Sequence, residues 1–517
     1  MQGQNDADSR TDGQQCAQSP STNSEGQAAK KRDASAKGIV KLTERLQVQL
    51  FHTPGQVAFA SCYIKGHWEN QRVKGSAFKD WLSAACYHHE GFVPSHNALG
   101  EAINTLAGRA FYSGPEKPVH TRLAEDNGAL YLDLCNESWE VVRITAEGWE
   151  VASYAPVNFA RAPDMLALPY PLDGGGNFDL LRPLLNLDDD NWKLAVGWLV
   201  GALHPRGPFP LLVIEGTHGS AKSTAARFLL SLVDPRKAQL RAAPLNSRDL
   251  AISAENSWCL GFDNLSDLKP WFSDALCRLA TGSGFSTRAL YKDDEERVFE
   301  GIRPVLLNGI DIGIDREDLR DRCIFLSLSP IKEGGRRTEA QVTAEFRNIQ
   351  RYVLGCLLDA VSGALRRLPE IKPKELPRMA DFTIWVCAAE QALGWPKGSF
   401  CEAYSRNRTE SNGLALEASP LFQPIMQIAK GAGWEGTATD LLDLVWQESP
   451  ANGNSGSFPK NPKELSQMLR RLAPNLAQAG CSIEFGRTPG NDSKRIIRIK
   501  ALVEDATRLV PGESGEK

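Results

Sequence analysis

The sequence predicts an α/β protein with a central parallel sheet, preceded by an α+β unit and followed by two helices and a β-hairpin. Three observations predict it. The apolar run from Phe209 to Glu215 leads through GTHGSAKST (Gly216 to Thr224) into the helical stretch AARFLL, a strand–turn–helix step. From there to about residue 330 apolar strands alternate with helical segments, the mark of a parallel sheet. Between Thr437 and Lys500 two amphipathic stretches precede two strands joined by a Pro-Gly-Asn turn, the order of a winged helix-turn-helix.

A chain of 517 residues is too long for one ordinary domain. With 42% hydrophobic and 24% charged residues its composition is that of a soluble globular protein. The net charge of -4 excludes a basic nucleic-acid coat, so any DNA contact must be a local patch. The 11 cysteines form no C-x-x-C pair, and several stand in apolar runs, which predicts reduced thiols in a cytoplasmic protein. Cys86, His88 and His89 crowd together, but nothing nearby completes a zinc site. The polar N-terminus lacks the apolar core of a secretory leader, and Trp192 to Leu203 is too short to span a membrane, so no membrane partner is expected.

In chain order, residues 1–37 are polar and aperiodic and read as a disordered tail. Residues 38–172 read as an α+β domain. Its strands are VAFASCYI from Val57, ALYLDL from Ala129 and WEVVRI from Trp139; its helices start near Ala77 and Asn97. DGGGN at Asp173 marks a break, and Asp188-Asp189-Asp190 a helix start. Residues 173–335 carry the strand–loop–helix core and 336–415 read as nearly all helix. Residues 419–502 form the basic C-terminal unit and 503–517 a loose tail.

A phosphate loop works because successive backbone N–H groups point into a nest at a helix N-terminus. Gly216, Gly219, Ser220, Ala221, Lys222, Ser223 and Thr224 are the candidate nucleotide-binding residues. Lys222 can reach the β/γ-phosphates, and the Ser223 hydroxyl can hold Mg²⁺. Ala221 stands where the pattern wants glycine; its methyl group is tolerable at negative φ and costly at positive φ. Three further elements follow in order. The strand SWCLGFDN ends in Asp263, a carboxylate placed for the magnesium shell. The strand RPVLLN ends in Asn308, an amide able to orient a water beside a γ-phosphate. DLRDR, with Arg320 and Arg322, precedes the strand CIFLSL.

The series GTHGSAKST, LGFDNLS, TGSGFSTRALYKDDEE, RPVLLNGI and DLRDRCIFLSL resembles the ATPase core of superfamily 3 helicases. Within these it is most similar to the primase-helicase type ATPases of phages, plasmids and integrated elements. The resemblance covers about residues 40–410. It implies a P-loop AAA+-type core with a helical lid, ATP and Mg²⁺ as ligands, and a homo-oligomeric ring with ATP sites between subunits. By it, Arg322 or Arg320 reaches the neighbouring subunit's γ-phosphate, and Arg378 is a lid arginine at the γ-phosphate. The interval from Thr281 to Glu296 is then a pore hairpin whose Arg288 and Lys292 grip single-stranded DNA. Asn264 follows Asp263 where many such ATPases have a second carboxylate, so the general base is left unassigned.

In the C-terminal unit Leu465, Met468, Leu469 and Leu472 share one helix face, while Lys463, Arg470 and Arg471 lie off it. With Arg487, Lys494 and Arg495 in the hairpin they make a basic patch suited to duplex DNA. The expected function is an ATP-driven DNA motor of a mobile element's replication system. The alternatives are a helicase-loader or scaffold ATPase, or a nucleotide switch, that binds DNA without unwinding it. No primase signature is visible in residues 38–171.

Overall fold

The computed structural model describes residues 34–174, 177–282, 285–288, 296–299, 301–310, 312–314, 316–331, 334, 336–372, 376–448, 458–489 and 493–502. Lys292 and the 1–37 and 503–517 tails, except residues 34–37, lie outside them.

Two compact units emerge. One holds the described residues up to Tyr63 together with Gln71–Glu116; the other holds Ile64–Asn70 and the chain from Lys117 onward. In the first, helix Ala36–Arg45 starts at Ser35, whose hydroxyl accepts from Gly38 N–H. Strands Gln49–His52 and Ala58–Ile64 pair antiparallel. Helix His96–Tyr112 is capped by Ser95. The helix expected from Ala77 forms as Ser76–Ala85 and ends in a π-turn, Cys86–Glu90.

The division falls inside the expected 38–172 domain, and the reason is a shared core. Leu130, Leu132 and Val142, from the antiparallel four-stranded sheet of residues 123–152, belong to the same apolar cluster as the strands at 211–216 and 305–309. A buried ionic node reinforces this. Arg122, 0% exposed, donates from Nε to Asp234 at 2.9 Å and from its other nitrogens to the carbonyls of Asp133 and Leu166. Asp234 ends the loop helix and also accepts from the Trp258 and Cys259 amides, at 2.9 and 3.2 Å.

The central sheet has four parallel strands in the order Leu260–Leu265, Val305–Gly309, Leu211–Gly216, Cys323–Leu328. The two central strands, Val305–Gly309 and Leu211–Gly216, have buried centres, as expected of strands covered on both faces. Helix Asp189–Ala202, capped by Asp188, is apolar nearly all round and buried. Gly197 and Gly201 let Phe400 and Phe382 sit against its backbone; a Cβ at Gly201 would lie 2.1 Å from the Phe382 ring. Those rings come from helices Ala380–Ala389 and Ser399–Glu417, which follow the 29-residue helix Glu339–Arg367. Helix Ser399–Glu417 also closes the sheet edge. The Asn407 amide donates to Phe325 O at 2.7 Å and accepts from Phe325 N–H at 3.0 Å.

Residues from Leu416 onward have their own apolar cluster. Helices Ala438–Glu448 and Pro462–Gln478 precede an antiparallel sheet in the order Trp434–Gly436, Arg495–Ala501, Cys481–Arg487. The second helix runs on past Pro474. Beyond it Asn475 and Leu476 are buried, so the last turn packs into the unit's core. Among the described residues no helix is long and apolar enough to cross a membrane.

Candidate nucleotide site

The loop leaves the sheet at Gly216, where φ is +154° and a Cβ would meet Leu328 O at 2.6 Å. Only glycine fits that cradle. Gly219 has φ +75°, and Ser220 is buried with its hydroxyl donating to Thr217 O at 2.9 Å. Ala221 takes φ +62° and ψ 27°, the left-handed region, immediately before helix Lys222–Val233. The methyl group is therefore strained, the costlier of the two cases the sequence allowed. Lys222 Nζ folds onto its own loop, donating to Gly216 O and Thr217 O, each at 2.8 Å.

Three side chains meet beside it. Ser223 Oγ donates to Asp263 Oδ1 at 3.3 Å, and Asn308 Nδ2 donates to Ser223 Oγ at 3.0 Å and closely to Asp263 Oδ1. A β-bulge brings this about. Phe262 pairs with Leu307 and Leu265 with Gly309, so Asp263 and Asn264 together oppose Asn308. Asn264 takes φ +56°, which asparagine tolerates better than most residues. Asn308 is 1% exposed, and its Oδ1 is buried without a hydrogen-bond partner. A buried acceptor left open beside a hydroxyl and a carboxylate suits a water or a hydrated cation.

The arginines lie elsewhere. Leu211 N–H donates to Arg322 O, so Arg322 stands at the start of strand Cys323–Leu328, the end of the parallel sheet opposite the loop. A six-residue strand separates the two ends by about 17 Å. Arg320 and Arg322 donate to the carbonyls of Ile314 and Asp318. Arg378 stands with them: its guanidinium is 3.3 Å from Asp321, which Arg408 approaches from the other side at 3.6 Å. Expected as a lid arginine at the γ-phosphate, Arg378 is paired here with Asp321. It stands beside Arg322 at the strand-start end of the sheet.

Two features escaped sequence reasoning. A cleft of about 500 Å³ opens beside Ala221 and Thr224, between Asn186, Leu187, Ser329 and Arg337. Its walls come from segments over 140 residues apart, joined by the Asn186 amide donating to Ser329 O at 2.6 Å. The exposed guanidinium of Arg336 overlies the loop, with Nη2 3.7 Å from where a Gly219 Cβ would stand. The only sequence signal for it was the Arg336-Arg337 pair just before the Thr338 cap.

Of the proposed DNA contacts, Arg288 ends strand Phe285–Arg288, which pairs antiparallel with Glu296–Phe299; Lys292 lies outside the described residues. Lys463, Arg470, Arg471, Arg487, Lys494 and Arg495 are all exposed. Arg470 lies over the Phe485 ring at 4.0 Å, tying helix to hairpin. Arg487 and Arg495 are directly opposed across the hairpin, a like-charge pair that repels itself.

Residues 178–399 match the family model described as actinomycete integrative conjugative element replication protein, and residues 421–509 match AICE RepA C-terminal domain. Together they span more than half of the chain. Among solved structures, the apo NrS-1 C-terminal region is 12% identical at a TM-score of 0.42, covering 90% of this chain and 99% of that one. "SCCmec type IV Cch - active helicase" is 13% identical at 0.45, covering 87% and 92%. No curated protein matches.

Proposed function

Because the chain belongs to the replication-protein family of actinomycete integrative conjugative elements, we propose that it is an ATP-hydrolysing DNA motor of such an element. The observation that carries this reading is the meeting of Lys222, Ser223, Asp263 and Asn308 at one end of the parallel sheet, with the Asn308 acceptor open. The core is read as a P-loop AAA+ fold with a helical lid, and the C-terminal unit as a winged helix.

Lys222 exchanges its two loop carbonyls for β/γ-phosphate oxygens, and the loop amides line the phosphates. Magnesium, when bound, would be held by Ser223 Oγ and Asp263 and would neutralise phosphate charge. Asn308 Oδ1 orients the attacking water. The cleft beside Thr224 suits the nucleoside, being within the volume range of small-ligand sites. Arg336 is a candidate phosphate contact from the same chain. Arg322, or Arg320, is about 17 Å from its own loop by strand length and so serves a neighbour's ATP, which requires a ring. Arg378 sits on that same arginine edge. Single-stranded DNA is assigned to the hairpin at Arg288 and Lys292, and duplex DNA to the basic helix and wing. Replicating an element inside the cell makes this a cytoplasmic protein.

A second reading, a loader or nucleotide switch, is favoured by one observation: at the bulge the residue after Asp263 is Asn264, which supplies no carboxylate. ATP turnover with and without single-stranded DNA separates the two. The motor reading expects stimulation by DNA and loss of turnover in Lys222→Ala. Arg322→Ala should bind ATP yet turn it over poorly, and mixing it with Lys222→Ala should restore part of the activity. Turnover indifferent to DNA, with no rescue on mixing, would replace the motor by the switch.

A further inference from the structure

Cys387 and Cys401 stand apart from the nucleotide site, on two helices that pack on the central core. Their Sγ atoms are 3.2 Å apart, inside the sum of two sulfur radii, and each side chain is only partly buried. Cys387 lies in helix Ala380–Ala389 and Cys401 in the first turn of helix Ser399–Glu417. Among the free cysteines Cys62, Cys86, Cys259, Cys323 and Cys481 are buried. We propose that Cys387 and Cys401 form a reversible dithiol–disulfide modification site, oxidised by hydroperoxides.

The contact gives the two thiols different roles. The hydrogen bond between them, and then burial, push the Cys387 thiol up, whereas the same bond brings Cys401 down. Cys401 also stands in the first turn of its helix, whose dipole favours a thiolate against the opposing charges of Glu390 and Glu402. The Glu390 carboxylate, accepting from the Gly398 and Phe400 amides at 2.7 and 2.8 Å, fixes the start of that helix against the end of the other. Cys401 thiolate attacks one peroxide oxygen; the O–O bond breaks, the departing hydroxide takes a proton as water, and the sulfur becomes a sulfenic acid. Cys387 sulfur then attacks that sulfur. The S–S bond forms, the S–O bond breaks, and the hydroxyl leaves with the Cys387 proton as a second water. The dithiol has lost two electrons and two protons, and the peroxide has gained them.

The helix that would be clamped also carries Asn407, bonded to the Cys323–Leu328 strand, and Arg408, facing Asp321 on the arginine edge. The bond therefore bears on the elements that hold that edge.

The full-length protein treated with stoichiometric hydrogen peroxide, alkylated and digested without reductant should yield a peptide pair joining Cys387 to Cys401, lost on adding dithiothreitol. In Cys387→Ser, Cys401 should be trapped by dimedone as the sulfenic acid; in Cys401→Ser, Cys387 should label several-fold more slowly. Because the linkage is mapped on the unmutated protein, a variant that misfolds does not decide the matter. Absence of the linked pair while both thiols remain alkylatable after peroxide would overturn the proposal. So would oxidation of each to separate sulfinic acids.

Discussion

Ala221 carries a left-handed backbone, φ +62° and ψ 27°, at the residue that opens the loop helix. For an L-residue with a Cβ that conformation costs about 1–2 kcal/mol. Removing the methyl group in Ala221→Gly relieves it, and the freer unfolded chain takes back about 0.4–1 kcal/mol. A net gain of about 0.5–1 kcal/mol is expected. Ala225, four residues on, is the built-in control: it is helical and buried, and its amide donates to Ala221 O. Glycine there loses about 1 kcal/mol of helix propensity and a packed methyl besides. The two substitutions should therefore move stability in opposite directions. Urea unfolding followed by tryptophan fluorescence suits the measurement, since Trp198 and Trp258 are buried in the same core. With a slope of about 3 kcal/mol per molar, Ala221→Gly should raise the midpoint by about 0.2–0.3 M. A lowered midpoint in Ala221→Gly, or shifts of the same sign in both variants, would refute the assignment of strain to this residue.

Arg122→Leu removes one of the two arginines on the buried Asp234 carboxylate, leaving Arg236 Nε at 3.0 Å, and should destabilise by about 1.5–3 kcal/mol, read as a fall in denaturation midpoint. An effect below about 1 kcal/mol would show that the node does not join the 123–152 sheet to the core. Burial lowers the His204 pKa from 6.5 to about 4, and the ring packs edge-on against Trp385 at 4.6 Å. The unfolded chain then binds the proton more readily, so stability is full above pH 6.5 and falls as the pH drops towards 4. His204→Phe should flatten that part of the stability profile, and an unchanged slope would assign it to other groups. Deleting residues from Ser419 onward should weaken duplex DNA binding and shallow its salt dependence while sparing basal ATP turnover. An unaltered salt slope would remove the basic patch from DNA contact.

What the sequence shows and what it hides divide along one physical line. Asp263 and Asn308 could be placed at strand ends because an apolar run stops at a polar residue, a local signal. Asp188 announced a helix start in the same way, through its cap. The bulge at Asn264 left no such mark, because it is a mismatch in length between two strands 40 residues apart. The cleft beside Thr224 needs the segments near 186 and 329 to meet, which only the strand order brings about. The pairing of Arg378 with Asp321, 57 residues away along the chain, likewise has no local signal. The grouping of residues from 117 onward with the core follows from Arg122, an arginine that by composition alone belongs on a surface.

The amide of Asn407 does for the Cys323–Leu328 strand what a fifth strand would do, at one residue and with one side chain. An open strand edge is an invitation to pair with another copy, and a lone carboxamide withdraws it at this position. The same two bonds make the helix a rider on the sheet. Those bonds join the sheet edge to the one helix that leads directly into the C-terminal unit, so the unit's point of departure is set from the core.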